Sequence, residues 1–134
     1  MTDLVKSGTP SLATTAPGGE AWVGSNLKAG EAIAAGDVCY IKSDGKVWKS
    51  IGTTTNAAAK AHGIAQKAAS LNEAVTIMRN VDMHYGSGLT PGAPYYVSAT
   101  SGGGKLDDAA STGGTGIVAF AIDATRIRFL GSSY

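Results

Sequence analysis

The sequence predicts an all-β fold, a small β-barrel or sandwich with internal duplication, preceded by an extended N-terminal arm. Three observations predict it. The chain repeats itself in order: Ile33 to Ile41 (Ile-Ala-Ala-Gly-Asp-Val-Cys-Tyr-Ile) is echoed by Leu89 to Val97 (Leu-Thr-Pro-Gly-Ala-Pro-Tyr-Tyr-Val), and Gly45-Lys46-Val47 by Gly104-Lys105-Leu106. Gly63-Ile64-Ala65 is then answered by Gly116-Ile117-Val118, and Ala74 to Met78 by Arg126 to Leu130. Conserved order across loops of different length points to duplication. Composition agrees, because 19 glycines in 134 residues with only 16% charged side chains favour short strands and many turns over long helices. Finally, apolar residues alternate with polar ones over short runs, the period of a strand with one buried face.

Residues 1–29 read as the extended arm. Ser7 to Ser11 and Ala16 to Gly19 hold two of the four prolines, no period is sustained, and the apolar residues are islands at Leu4-Val5, Leu12 and Trp22-Val23. The domain over 30–134 is expected to comprise two halves, about 30–80 and 86–131. Asp37 to Lys42 alternates, Ser43-Asp44-Gly45 supplies turn chemistry and Lys46 to Lys49 returns, which makes a hairpin. Asn56 is placed to cap a single helical turn before Ala57 in a connector too short to stand as a helix. His62 to Lys67 and Ala74 to Arg79 give two further strands, and Asn80 to Gly88 reads as a link.

In the second half, Pro91 and Gly92 form a tight turn, and Pro94, which lacks an N–H, suits a strand's first residue or an unpaired edge. Tyr95, Tyr96 and Val97 favour β structure. Ser101 to Gly104 is a flexible tip and Asp107 to Gly116 a polar loop. Ile117 to Ile122 is a near-continuous apolar run, as in a strand buried on both faces or at a subunit contact. Arg126 to Phe129 alternates, with one wet face and one buried face.

Several function classes lose ground on the same residues. A formal net charge of +1 without a Lys/Arg run gives no electrostatic footprint for nucleic acid or an anionic membrane. Cys39 is the one cysteine, so no intrachain disulfide is expected, and neither a signal peptide nor a membrane span is read from the chain. Gly114 to Ala119 matches a relaxed dinucleotide fingerprint, but a polar loop precedes it and a β-prone run follows, where the motif needs a strand and then a helix. Ser25-x-x-Lys28 and Ser43-x-x-Lys46 lack the helical context that an acyl-transfer serine requires. His62 and His84 have no ligand partner at metal spacing. No catalytic residue, metal or cofactor is therefore expected. The aromatics are expected to act as core and interface anchors before they act as a platform for sugars or bases.

The ordered series Ala-Gly-Asp-x-x-Tyr-Ile (35–41), Asp-Gly-Lys-Val-Trp-Lys (44–49), Gly-Ile-Ala (63–65), Leu-Thr-Pro-Gly-Ala-Pro-Tyr-Tyr-Val-Ser (89–98), a Gly-rich tip and a closing strand resembles the capsid decoration, or cement, proteins of tailed bacteriophages. The likeness covers about residues 30–130. It implies a β-barrel-like homotrimer on the outer face of the mature head at threefold and quasi-threefold positions. The major capsid protein would be the partner, assembly would occur in the host cytoplasm, and no enzymatic activity is implied. On that resemblance, Leu4, Val5, Leu12, Trp22 and Val23 are the expected capsid contacts of the arm, and Tyr95, Tyr96, Ile117 and Phe120 the expected trimer seam. The rival expectation is a virion surface adhesion or carbohydrate-binding module, of a head fibre or tail-associated. A small hydrolase using Ser and Lys28 or Lys46 stands further back.

Overall fold

Gly and Pro punctuation cuts the chain into strands of two to seven residues, and a computed structural model shows how they pair. Residues 3–12, 21–22 and 27–132 are described, the side chains of Leu12, Ala21 and Trp22 excepted. The strands are β1 (Lys6–Leu12), β2 (Ala21–Trp22), β3 (Val38–Ile41), β4 (Val47–Lys49), β5 (Gly63–Ala65), β6 (Ile77–Arg79), β7 (Val81–Gly86), β8 (Pro94–Val97), β9 (Leu106–Asp107), β10 (Ala119–Ala121) and β11 (Arg126–Phe129). The helical content among the described residues is one 3-10 turn, Ala57–Ala59, which Asn56 caps as expected by accepting the Ala58 N–H at 3.1 Å. The fold is all-β.

The duplication is written into the sheet order. One sheet runs β2-β6-β5-β3-β4, and the other runs β1-β7-β11-β10-β8-β9. Without β1 the two orders are the same, with β7, β8, β9, β10 and β11 standing where β2, β3, β4, β5 and β6 stand. The registers coincide too. Cys39 pairs with Gly63 and Val38 with Ile64, while Tyr95 pairs with Ala119 and Pro94 with Phe120. Ile64 pairs with Met78 and Ala65 with Ile77, while Phe120 pairs with Arg128 and Ala121 with Ile127. Gly45-Lys46-Val47 and Gly104-Lys105-Leu106 correspond as the sequence suggests, since Val47 faces Ile41 as Leu106 faces Val97.

Two alignments shift. The counterpart of Gly63-Ile64-Ala65 is Ala119-Phe120-Ala121 and not Gly116-Ile117-Val118. Ile77, not Val75, corresponds to Ile127. The expected link at 80–88 also contains β7, a six-residue strand whose alternating Val81, Met83 and Tyr85 enter the core. It starts directly after Asn80, which takes a positive φ of 52° and turns the chain from one sheet into the other. The repeated unit thus reaches back to β2 and β7.

Residues 3–12, part of the stretch expected as an arm, lie along their own domain. β1 pairs with β7 at one edge of the larger sheet, through Lys6 with Gly86 and Leu12 with Met83. A few residues earlier, Asp3 bridges to Asp107, and the Leu4 N–H donates to the Leu106 carbonyl at 3.0 Å on the opposite edge strand, β9. One extended segment therefore joins both edges and closes the sheet into a small barrel. That removes two unpaired edges, each a template for unwanted strand pairing. The price in regularity is a bulge, with Lys6 to Ser11 spanning only Gly86 to His84.

The main core fills the space between the sheets, with Val38, Ile64 and Met78 from the first repeat against Met83, Tyr85, Tyr95, Ile127 and Phe129 from the second. A smaller core of Cys39, Val47, Ala65 and Ile77 lies on the other face of the first sheet. Ala29 and Ile33 cover it, held by bridges from Ala29 to Val47 and from Ile33 to Ala69.

Candidate interaction surface

Because side chains alternate across a strand, the shared register fixes which positions of the two repeats share a face. In the first repeat, Val38, Ile64 and Met78 form one cross-strand row that is buried in the main core. The same row in the second repeat reads Pro94, Phe120 and Arg128, and continues to Asp82. This row faces outward. Phe120 is 37% exposed, Pro94 is exposed, and Arg128 and Asp82 form a half-exposed ion pair at 3.0 Å. Tyr96, two residues from Pro94 on β8, shares the face and is half-buried. Arg126 adds a second ion pair, with Asp123 at 2.7 Å, where the Asp123 carboxylate also accepts backbone N–H groups of Thr125 and Arg126. Those bonds hold its pKa down to about 2. The surface combines an apolar strip with a strip carrying both charges.

The expected seam residues separate accordingly. Phe120 and Tyr96 share this face, and Ile117, at 52% exposed, lies just before β10. Tyr95 points the other way into the main core at 4% exposure, so it belongs to the fold. Among the expected arm contacts, Leu4 packs against the main core and Val5 is 78% exposed. Leu12 and Trp22 lie in strands, their side chains outside the described residues, as is the whole of Val23. Sequence reasoning missed Asp82 and Arg128. The signal was present in Arg126-x-Arg128, where two cations at strand spacing need partners on one face.

The other chemical groups have structural roles. His62 Nδ1 accepts the Ile41 N–H at 2.8 Å, and burial together with Arg79 and Lys60 keeps the imidazole below its usual pKa. Cys39 is fully buried, and desolvation pushes its thiol far upward, so it is inert. Gly114 sits where a Cβ would strike the Val97 carbonyl and Ser111 Oγ, so its place in the fingerprint-like stretch is explained by close packing. The run after it is strand β10. Lys46, of the second Ser-x-x-Lys, donates to Asn72 at 2.9 Å. Among the described residues no group of three or more His, Cys, Asp or Glu side chains could hold a metal. An open groove of about 640 Å³ lies between the bulge of β1 and the turns at 34–35 and 66–68. Small side chains line most of it, and Lys6 there is engaged with Asp37 at 2.6 Å. Its polar lining comes from Thr9, Ser11, Gln66 and Lys67 beside the engaged Lys6.

At the barrel closure, Asp3 accepts hydrogen bonds from Ser98 Oγ and Thr100 Oγ1, both at 2.6 Å. The facing Asp107 is buried, and desolvation with the charges of Asp3 and Asp108 raises its pKa, whereas the hydroxyl bonds leave that of Asp3 lowered despite its own desolvation. Trp48 is also engaged. Its ring packs on Gly30, Asp44 accepts from Nε1, and Lys42 Nζ lies 4.3 Å from its centroid. No family model matches the chain, and no match is found among curated proteins.

Proposed function

We propose that the protein is a structural virion component that binds the outer face of a mature phage head at threefold and quasi-threefold positions, as a homotrimer, and stabilises the expanded capsid lattice. The observation that carries this reading is the outward face of the second repeat, where Phe120 leaves an apolar side chain exposed on strand β10. A surface of that kind suits a protein that acts through contacts. Binding energy available only on the expanded lattice stabilises that lattice by mass action. Linking several copies raises effective concentration, so individually weak contacts suffice.

On this reading the major capsid protein is the partner, and Val5, exposed beside the barrel closure, is a described candidate for touching it. Leu12, Trp22 and Val23 are the further candidates. Leu4 serves the barrel first. The rival adhesion reading is weakened by the engagement of Trp48, whose ring on the β3–β4 hairpin already meets Lys42 Nζ and donates to Asp44.

The test is sedimentation of the purified protein with expanded heads and with unexpanded precursor heads, counting the copies bound. Saturable binding to expanded heads alone, in multiples of three per site, is the expected result. Equal binding to both forms, or binding to neither, overturns the proposal.

A further inference from the structure

We propose that three lysines in one row of the first sheet, Lys28, Lys46 and Lys42, form a docking surface for an acidic segment of a protein partner. Strand pairing gathers them although the sequence scatters them. The Lys42 N–H donates to the Lys46 carbonyl at 3.0 Å and closes the β3–β4 hairpin, while Ala29 bridges to Val47 in parallel and so sets Lys28 beside Lys46. Ala29 and Val47 point into the smaller core. The alternate positions Lys28 and Lys46, with Lys42 opposite, therefore point the other way. Lys28 and Lys42 are exposed and Lys46 is half-buried. At the usual strand spacing the row spans about 10 Å.

The row has no carboxylate of its own. Among the described residues, the cations held in ion pairs are Lys6, Lys49, Arg126 and Arg128. Lys46 donates to the neutral side chain of Asn72 instead, and Lys42 lies over the Trp48 ring. Asp44, at the tip of the same hairpin, accepts the Lys46 backbone N–H and the Trp48 indole N–H and pairs with neither lysine. Like charges directly opposite one another destabilise a sheet, so carboxylates brought by a partner relieve a repulsion that the chain leaves standing.

The second repeat contains an example of what binds at such a place. Its hairpin joins Ser98 to Lys105 where the first joins Lys42 to Lys46, through the same N–H to carbonyl bond at 3.0 Å. There the carboxylate of Asp3, carried on an extended segment beside β9, accepts from the Ser98 and Thr100 hydroxyls at 2.6 Å. Against desolvation, those hydroxyls and the charge of Lys105 hold the Asp3 pKa down. The first repeat has a second lysine in place of Ser98 and, among the described residues, no carboxylate seated on it. An extended acidic segment from another protein fits the vacant equivalent.

Two observations favour a protein segment over a nucleic acid or a sugar. Trp48, the aromatic side chain of this face, packs on Gly30 and lies under Lys42, so a base or sugar would have to displace that lysine to stack. Asp44 at the hairpin tip and the exposed Glu73, whose carbonyl accepts the Ala29 N–H, border the row. A continuous polyanion runs past both, whereas carboxylates spaced along a peptide can avoid them. The row lies in the first sheet, away from the Phe120 face, so the inference does not rest on the capsid reading.

The experiment is a titration of the isotope-labelled full chain with hexaglutamate at low ionic strength, read from the NMR shifts of its N–H groups. Shifts should concentrate at Lys28, Lys42, Lys46 and the Trp48 indole. The double variant Lys42→Gln, Lys46→Gln should bind about fivefold more weakly, as expected for the loss of two exposed ion pairs. Lys67→Gln, which removes an exposed lysine outside the row, should bind as the native protein does. Thermal melts check that both variants are folded. The native shifts should vanish near about 1 M salt, where the screening length falls to about 3 Å. Absence of shifts at the row, or equal weakening by the two variants, overturns the inference. So does tighter binding of a single-stranded oligothymidylate at the same residues, which would assign the row to nucleic acid.

Discussion

Replacing Asp3 and Leu4 together by alanine tests whether the start of the chain is a structural strap. Ser98 is fully buried, and its hydroxyl donates to Asp3 Oδ1 at 2.6 Å. Without that acceptor the hydroxyl retains only its contacts with Thr100. Losing a charged acceptor at a partly exposed site costs about 1 to 2 kcal/mol after allowance for solvent. Leu4 is half-buried against the main core, and truncating it removes about 1 kcal/mol of burial. The pair together should cost about 2 to 3 kcal/mol, a large share of the roughly 5 to 15 kcal/mol that holds a domain folded. A thermal melt should show a fall of roughly 10 °C for a chain of this size. Hydrogen exchange should speed at the Leu4 amide, which bonds to Leu106, and in β1 along β7, since both edges are joined by the same segment. If the melting temperature and these exchange rates do not change, the closure contributes nothing and the strap reasoning is wrong.

Two further predictions use the same construction. Asp107→Asn keeps a side-chain oxygen for the Ala109 N–H and removes a buried charge facing Asp3 and Asp108, so it should raise the melting temperature at neutral pH. Because the native pKa of Asp107 lies above its unfolded value, the native protein binds a proton on folding and gains stability as pH falls through that raised pKa towards about 3.9, a gain that the variant should lack; below this, protonation of Asp3 weakens the closure in both. Melts across acid pH would refute this if the two proteins ran parallel. Ile127→Ala should cost about 4 kcal/mol, near the upper end for a wholly buried residue in the shared core, and Ile77→Ala, its counterpart in the smaller core, about 2 to 3 kcal/mol; equal losses in urea titrations would show that the two cores do not differ.

What could be read in the sequence was whatever depends on local chemistry. Gly36 and Gly92 both turn the chain with φ near +80°, at 81° and 82°, and each leads into a strand carrying Tyr at the same place. A turn residue that only glycine readily supplies marks its position by itself, so the start of each repeat was legible. The register of β5 and β10 was not, because Gly, Ala, Val and Ile recur through both stretches and only pairing with β3 and β8 chooses among the possible alignments. β7 is hard to see locally because Asp82 and His84 look like link residues until Val81, Met83 and Tyr85 are taken as the buried alternates. β1 has no local strand signal because Gly8 and Pro10 break any period, and nothing local announces that Lys6 will meet Gly86 eighty residues later.

The surface shows the same division between local and distant causes. Tyr95 and Tyr96 cannot both serve the expected seam, because adjacent residues of a strand point to opposite faces, an alternation legible in the sequence itself. Which one faces outward depends on where the second sheet lies. That sheet's partner is the first repeat, whose row of Val38, Ile64 and Met78 is apolar throughout, while the second repeat has Arg128 where the first has Met78. Burying an arginine in the site of a methionine costs desolvation even when its charge is paired, and Arg128 with its partner Asp82 stays half-exposed. The divergence of the row, Arg128 for Met78 together with Pro94 for Val38, therefore favours the first repeat's copy of the duplicated face for the interior.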